Sequence, residues 1–483
     1  MTMNEHSNEK KNKEKRRKSL GHGYSCRFSK GMTAAFGAAA AGLFVTGMLL
    51  PLRPTYSNAE KRSLKTFPKV SVETVLDGRF FTDLSGWYSD TFPFREPLLS
   101  AGSAVKTLYG IQGEAYYGNK KAVVADELPS EAETPAPTLS LEDEKETAAA
   151  TASEVESTEE TEQDFTVETN PDGTMLLPDK PKEEVTLTGE QAGNIYVANN
   201  KGYEIYYFNQ ENAQIYASMI NTVQAKFPDV NVYDMLVPNS FGVELDKSVQ
   251  GKLGSSVMEE AFTYIYSMLD KKVKKVPVFD TLKEHKNEYI YFNTDHHWTG
   301  LGAYYAYRKF CEVKGIKAHE LSEYEKLRFP GFYGTFYFAT NRSPALKANP
   351  DTVEAWVPIA TNEMSYVTKA GDTMKAKVVN DVSKSDAGNK YNCFLLGDNP
   401  LSVVHNSSLN DGSSILLIKE SYGNAFVPYL VDHYEDVYVV DYRYFQDNAS
   451  ELITQYKVQD ILFLNNVMAI GKKTSREMLA LFR

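Results

Sequence analysis

The chain reads as an α/β protein built on a parallel β-sheet, and three features of the sequence predict it. Near-continuous apolar runs recur at 415–418, 437–440 and 461–464, the mark of strands buried on both faces, and 230–237 is a further strand-like run. Stretches of helical periodicity separate them, so strand, helix and strand repeat as crossover units. Polar residues gather just past the carboxyl ends of these strands, where open α/β sheets place their sites.

Length and composition set the outer limits. At 483 residues the chain exceeds one usual domain, and 42% hydrophobic content supplies a large core. A net charge of -12 argues against a nucleic acid partner. Cys26, Cys311 and Cys393 are too few and too scattered for a zinc module or a disulfide framework. A single Cys311–Cys393 bridge stays open.

The first part of the chain divides by composition. Residues 1–30 form a basic tail, from Lys10 to Lys30. Residues 31–52 carry no charge and are long enough for a hydrocarbon core of about 30 Å. The preceding positive charge keeps the N-terminus cytoplasmic and exports the remainder. A retained signal anchor and a long cleaved signal peptide both fit. The small residues from Ala38 to Gly42 lie early for a peptidase, which favours a transmembrane anchor. The expected location is therefore the cell membrane, single-pass, with the main domain extracytoplasmic. Residues 56–125 read as a membrane-proximal arm. One helix starts near Asp77 and is broken at Asp90–Arg95 by Pro93; a second covers Pro97 to Tyr109. Residues 126–188 are rich in Glu, Thr, Ala, Ser and Pro and read as a disordered acidic insertion.

Residues 190–483 read as the main domain. Asn194–Val197 and Tyr203–Tyr207 flank Asn199–Gly202, a hairpin pattern. A helix covers Gln210 to Lys226, and strands at Val230–Val237 and Lys275–Asp280 enclose another helix around 258–270. A helix from Leu301 to Lys314 follows. Residues 322–390 read as irregular. They include the aromatic run Pro330–Tyr337, which lines a groove or packs a core. Helical segments from about Asn424 and Ala449 join the last three strands, and a short helix closes the chain.

Two stretches carry the ionisable chemistry. Asn293-Thr294-Asp295-His296-His297-Trp298 offers an acid and a base; Lys419-Glu420-Ser421-Tyr422-Gly423-Asn424 offers a serine after a strand. A serine hydroxyl is a weak nucleophile until a base takes its proton, and the base needs an orienting acid. Ser421, His297 and Asp295 supply the three roles. Alone, Ser421 is an ordinary helix N-cap, and His297 an ordinary structural histidine. Their joint placement at strand ends favours the chemical reading. Asp441, Arg443, Asn465 and Asn466 also follow strands directly.

The Asp295-His296-His297-Trp298 stretch resembles the signature of the bacterial DHHW protein family. The blocks at 58–67, 77–78, 90–95, 397–400, 419–424 and 441–445 resemble it too. The resemblance covers most of 56–125 and 190–470. That family is similar in turn to the SGNH-hydrolase-like domain of alginate O-acetyltransferase proteins, which use a Ser-His-Asp triad with an Asp-x-His pair upstream of the serine. It implies a circularly permuted SGNH-like sheet, with catalytic Ser421, His297 and Asp295. The Ser421 N–H, Asn465, Arg443 and Asn424 are the oxyanion or substrate candidates. Two departures stand out: Glu420 replaces the usual Asp before the serine, and Arg443 stands where the hydrolases have glycine. Asp295-His296-His297 is also similar to the manganese-binding DHH phosphoesterases, but their further motifs are missing. No metal and no cofactor is expected.

The function implied is an extracytoplasmic O-acetyltransferase or esterase acting on a cell-surface polysaccharide, with acetyl supplied by a membrane-bound O-acyltransferase. The rival readings are a non-catalytic glycan-binding or polysaccharide-assembly protein of the same fold, and a deacetylase.

Overall fold

The computed structural model describes residues 53–57, 62–95, 98, 115–117, 125–141 and 194–483. The membrane-span expectation for 31–52 and most of the second arm helix lie outside these residues. No helix among the described residues is long and apolar enough to cross a membrane. The chain divides into two compact units, Met1–Gly102 and Ser103–Arg483.

In the first unit, helix Val72–Leu76 starts at a capping box formed by Ser71 and Thr74. Helix Arg79–Asp90 follows and ends before Pro93, as the residue order predicts. The Arg53 guanidinium lies 3.9 Å above the Trp87 ring and its Nη1 donates to Thr91 Oγ1 at 2.7 Å.

The second unit is organised by an eight-stranded sheet. Its strands are β1 (Asn231–Val237), β2 (Lys274–Lys275), β3 (Glu363–Val367), β4 (Thr373–Lys377), β5 (Leu401–His405), β6 (Ser414–Lys419), β7 (Asp436–Asp441) and β8 (Asp460–Asn466). Their spatial order is β4-β3-β5-β7-β6-β8-β1-β2. The pairs from β7 to β2 are all parallel; β4, β3 and β5 extend the sheet antiparallel beyond β7. The fold is thus mixed α/β with a large, mostly parallel sheet. Counted from β6, the parallel strands stand in the order 2-1-3-4-5, one of the two common doubly wound orders.

Alternation along each parallel strand feeds two cores. Tyr233, Met235, Ile415, Leu417, Val439, Leu462 and Leu464 join one, with α3 (Gly300–Lys314) packed on it. Val232, Leu236, Leu416, Ile418, Ile461 and Phe463 join the other. That second core is covered by α1 (Gln210–Lys226), α2 (Met258–Ser267) and α5 (Lys472–Ala480), with α4 (Ala449–Gln455) beside them.

Three expectations need correction. The run Lys275–Asp280 is a strand only at its start, because Pro277 has no N–H for the ladder and caps helix Val278–Glu284 instead. The segment 322–390 is not irregular. It holds an antiparallel pair, Glu325–Phe332 with Asp351–Val357, and supplies β3 and β4 to the sheet. These strands are short and partly exposed, so their apolar pattern is weak. The third correction concerns the acidic insertion. Residues 125–141 dock on α1 and α2: Ala132 N donates to Ser267 Oγ, Ala136 N to Met268 O and Leu139 N to Thr222 Oγ1, at 2.7–2.8 Å. Leu139 is buried. Pro129, Pro135 and Pro137 hold this strap extended, which lowers the entropy lost on ordering. The remainder of that expectation, 142–188, lies outside the described residues.

The hairpin forms, between Ile195–Ala198 and Lys201–Glu204. Its turn residues Asn199 and Asn200 have φ of 52° and 61°, the left-handed pair that such tight turns need. Cys311 and Cys393 are buried and unlinked.

Candidate active site

Ser421 follows β6 by two residues, at the carboxyl end of the parallel sheet. It opens a short turn, Ser421–Ala425, whose N-cap is Glu420. Gly423 rests on the stem of Lys419, and a Cβ there would lie 2.6 Å from Lys419 Cβ. Aromatic side chains from other segments fix the turn. Tyr391 Oη donates to Ser421 O at 3.0 Å, Trp298 Nε1 donates to Tyr422 O at 2.9 Å, and Tyr422 Oη donates to His296 O.

The histidine turn comes from the other side of the same core. Thr299 caps α3, accepting from Gly302 N at 3.3 Å. Upstream, the buried Asp351 carboxylate accepts from Asn293 N at 2.8 Å, Thr294 N at 2.7 Å and Tyr289 Oη at 2.5 Å. Sequence reasoning passed over Asp351. Its one signal was a carboxylate opening a β-run, and such residues are common.

These two turns bring Ser421, His297 and Asp295 into one hydrogen-bonded chain. His297 Nε2 lies 2.8 Å from Ser421 Oγ, and His297 Nδ1 lies 2.5 Å from Asp295 Oδ1. All three residues are buried. Asp295 Oδ2 accepts from Thr335 N at 2.7 Å, so the aromatic run 330–337 supports the acid. Phe332, Phe336 and Tyr337 of that run are core residues. Gly334 is required by close approach: a Cβ there would lie 2.1 Å from Asp295 Oδ2. Burial alone would raise the Asp295 pKa. The His297 and His296 rings and the hydrogen bonds from His297 and Thr335 outweigh it and hold the carboxyl well below the usual range. An ionised Asp295 fixes the proton of His297 on Nδ1 and leaves Nε2 facing Ser421 as an acceptor.

Tyr391 stacks on His297, with ring centroids 4.2 Å apart, and the tilted His296 ring lies with its centroid 3.9 Å away. Burial, then the neighbouring His297, pushes the pKa of His296 down to about 4, so it is neutral near pH 7. Asp295, His296 and His297 place ligand-capable atoms within 4.8 Å of one another. Both Asp295 oxygens and both His297 nitrogens already have partners, whereas His296 Nδ1 is buried without a hydrogen-bond partner.

The other three predicted site residues have other partners. Alternation along β8 turns Asn465 to the helical face opposite His297, where its Nδ2 lies 3.6 Å from Met478 Sδ. Arg443 closes on Asp441 at 2.7 Å and Asp398 at 2.9 Å. Asn424 Nδ2 donates to Asp398 Oδ1 at 2.8 Å. Lys419, almost wholly buried, completes this network with Asp441 at 2.9 Å and Asp398 at 3.2 Å. Arg443 and Asn424 therefore brace the serine turn from beneath. The Ser421 N–H is the oxyanion candidate that remains.

A family model for the DHHW protein matches residues 60–440. A DHHW family protein from Eubacterium siraeum is similar in structure, with 29% identity and a TM-score of 0.54 over 60% of this chain and 96% of that one. Bacillus cereus PatB1 shares the fold at 16% identity, with a TM-score of 0.50 over 58% of this chain and 98% of that one. No curated protein matches. The chain belongs to the DHHW protein family.

Proposed function

We propose that this protein is a membrane-anchored, extracytoplasmic acyl-transfer enzyme of the SGNH-like type, an O-acetyltransferase or esterase acting on a cell-surface polysaccharide. One observation carries the reading: the buried chain from Ser421 Oγ through His297 to Asp295, at the carboxyl end of a parallel sheet. The strand order 2-1-3-4-5 counted from the serine strand supports a circular permutation of that fold.

In acylation, the Ser421 Oγ–H proton passes to His297 Nε2 while Oγ bonds the acyl carbon. The carbonyl π electrons move to oxygen, where the Ser421 N–H stabilises them. Collapse returns that pair, breaks the bond to the leaving oxygen, and His297 returns the proton to it. A sugar hydroxyl then gives its proton to His297 and attacks the acyl-serine; collapse breaks the bond to Ser421 Oγ, which takes the proton back from His297, and water in place of the sugar makes the reaction hydrolysis. Asp295 stays ionised throughout and stabilises the imidazolium. By family resemblance, a membrane-bound O-acyltransferase supplies the acetyl group and residues 31–52 hold the enzyme beside it.

The test is intact-mass analysis of the full chain after exposure to p-nitrophenyl acetate. The expected result is one acetyl adduct on Ser421, absent from Ser421→Ala and His297→Ala. A folded chain with no adduct and no ester turnover would overturn the reading and favour a glycan-binding protein.

A further inference from the structure

Ser421 Oγ has two neighbours that compete for one proton. His297 Nε2 lies at 2.8 Å and Glu420 Oε2 at 3.1 Å. His297 carries its own proton on Nδ1, toward Asp295, so acyl transfer needs the serine proton aimed at Nε2. An ionised Glu420 offers that proton a second, negatively charged acceptor. A neutral Glu420 instead donates its own O–H to Oγ and leaves the serine proton on His297.

Glu420 cannot swing away from this position. Its Oε2 also accepts from Tyr422 N at 3.0 Å, and its Oε1 accepts from Asn466 N at 2.9 Å. The side chain thus ties the serine turn to the end of β8. We propose that Glu420 is a further catalytic residue, a buried carboxyl whose ionisation decides whether the Ser421 proton is presented to His297 or withdrawn from it. The proposal rests on the reading of Ser421 as nucleophile.

The groups around Glu420 set that ionisation. Burial favours the neutral acid and is the largest effect; Arg443, the Tyr422 and Asn466 N–H groups and the His296 ring oppose it. The phenols of Tyr391, Tyr422 and Tyr442 also face it. The balance leaves the pKa raised above that of an ordinary glutamate.

The experiment is the pH dependence of Ser421 acetylation in the full chain, read as the p-nitrophenol burst and as adduct mass. The rate is expected to fall by ~tenfold per pH unit as Glu420 ionises. Glu420→Gln cannot ionise and loses the falling limb. Difference infrared spectroscopy is expected to show the carbonyl band of a neutral carboxylic acid that disappears over the same falling limb. That band decides the matter in the unmodified chain if the variant does not fold. An adduct whose formation rate shows no falling limb as pH rises, or a falling limb that survives Glu420→Gln, would overturn this proposal and leave the nucleophile assignment standing. Absence of any adduct at every pH would overturn both.

Discussion

Gly334 shows how narrowly a single residue can be constrained by chemistry next door. It has no unusual backbone requirement; what forbids a side chain is the Asp295 carboxylate, 2.1 Å from where a Cβ would be. Gly334→Ala must therefore push Asp295 from His297 Nδ1 or pull the Thr335 N–H from Asp295 Oδ2. Misplacement by about 1 Å can cost on the order of 100-fold in rate. The expected outcome is a loss of that size in kcat/KM for p-nitrophenyl acetate, with cooperative unfolding retained in a urea titration. The residues of this chain that were easiest to read in advance were Ser421, His297 and Asp295, because ionisable groups beside strand ends are conspicuous. Asn465 was misread at the same scale. A strand turns alternate residues to opposite faces, and Asn465 faces Met478; the contact with the serine turn comes instead from the backbone N–H of Asn466, which donates to Glu420.

At the scale of the element, β1 contains a charge-bearing residue where an apolar one is the norm. Asp234 is fully buried between the sheet and α1, where Tyr216 Oη donates to it at 2.6 Å. Burial pushes its pKa up to about 7, above the ordinary value of about 4 in the unfolded chain. A raised pKa means that the folded state binds the proton more tightly. Its contribution to stability is full below pH ~4 and is lost as pH rises through about 7. Asp234→Asn keeps the shape and cannot ionise. Urea titrations at pH 5 and pH 8 are expected to show a smaller loss of stability with rising pH in the variant than in the parent. The elements themselves were legible in proportion to their burial. Helix α1 and strands β6, β7 and β8 stand out because apolar runs of that length are read from period and propensity alone. Strands β3 and β4 escaped because half of their residues face water, and Pro277 ended a strand whose apolar run continued.

For the molecule as a whole, topology was legible only through the order of its chemical blocks. Histidine precedes serine along the chain, and the parallel series starts at β1 and ends at β8, paired side by side. The strap at 125–141 was illegible for a different reason. Composition speaks for a whole segment, whereas docking here depends on a few residues such as Leu139 and on backbone groups, which every sequence has.

That strap gives the chain a second way of being whole. Residues 115–117 pair with strand Ile195–Ala198, and 125–141 lie against α1 and α2, so the polypeptide that precedes 142–193 has its own hold on the main domain that follows. A protease that cuts within the acidic stretch would then yield not a truncated chain but a non-covalent heterodimer. Limited proteolysis is expected to give two fragments on a denaturing gel that elute together from a sizing column, with esterase activity unchanged. The same two pieces, produced separately and mixed, would report their own reassembly as recovered activity.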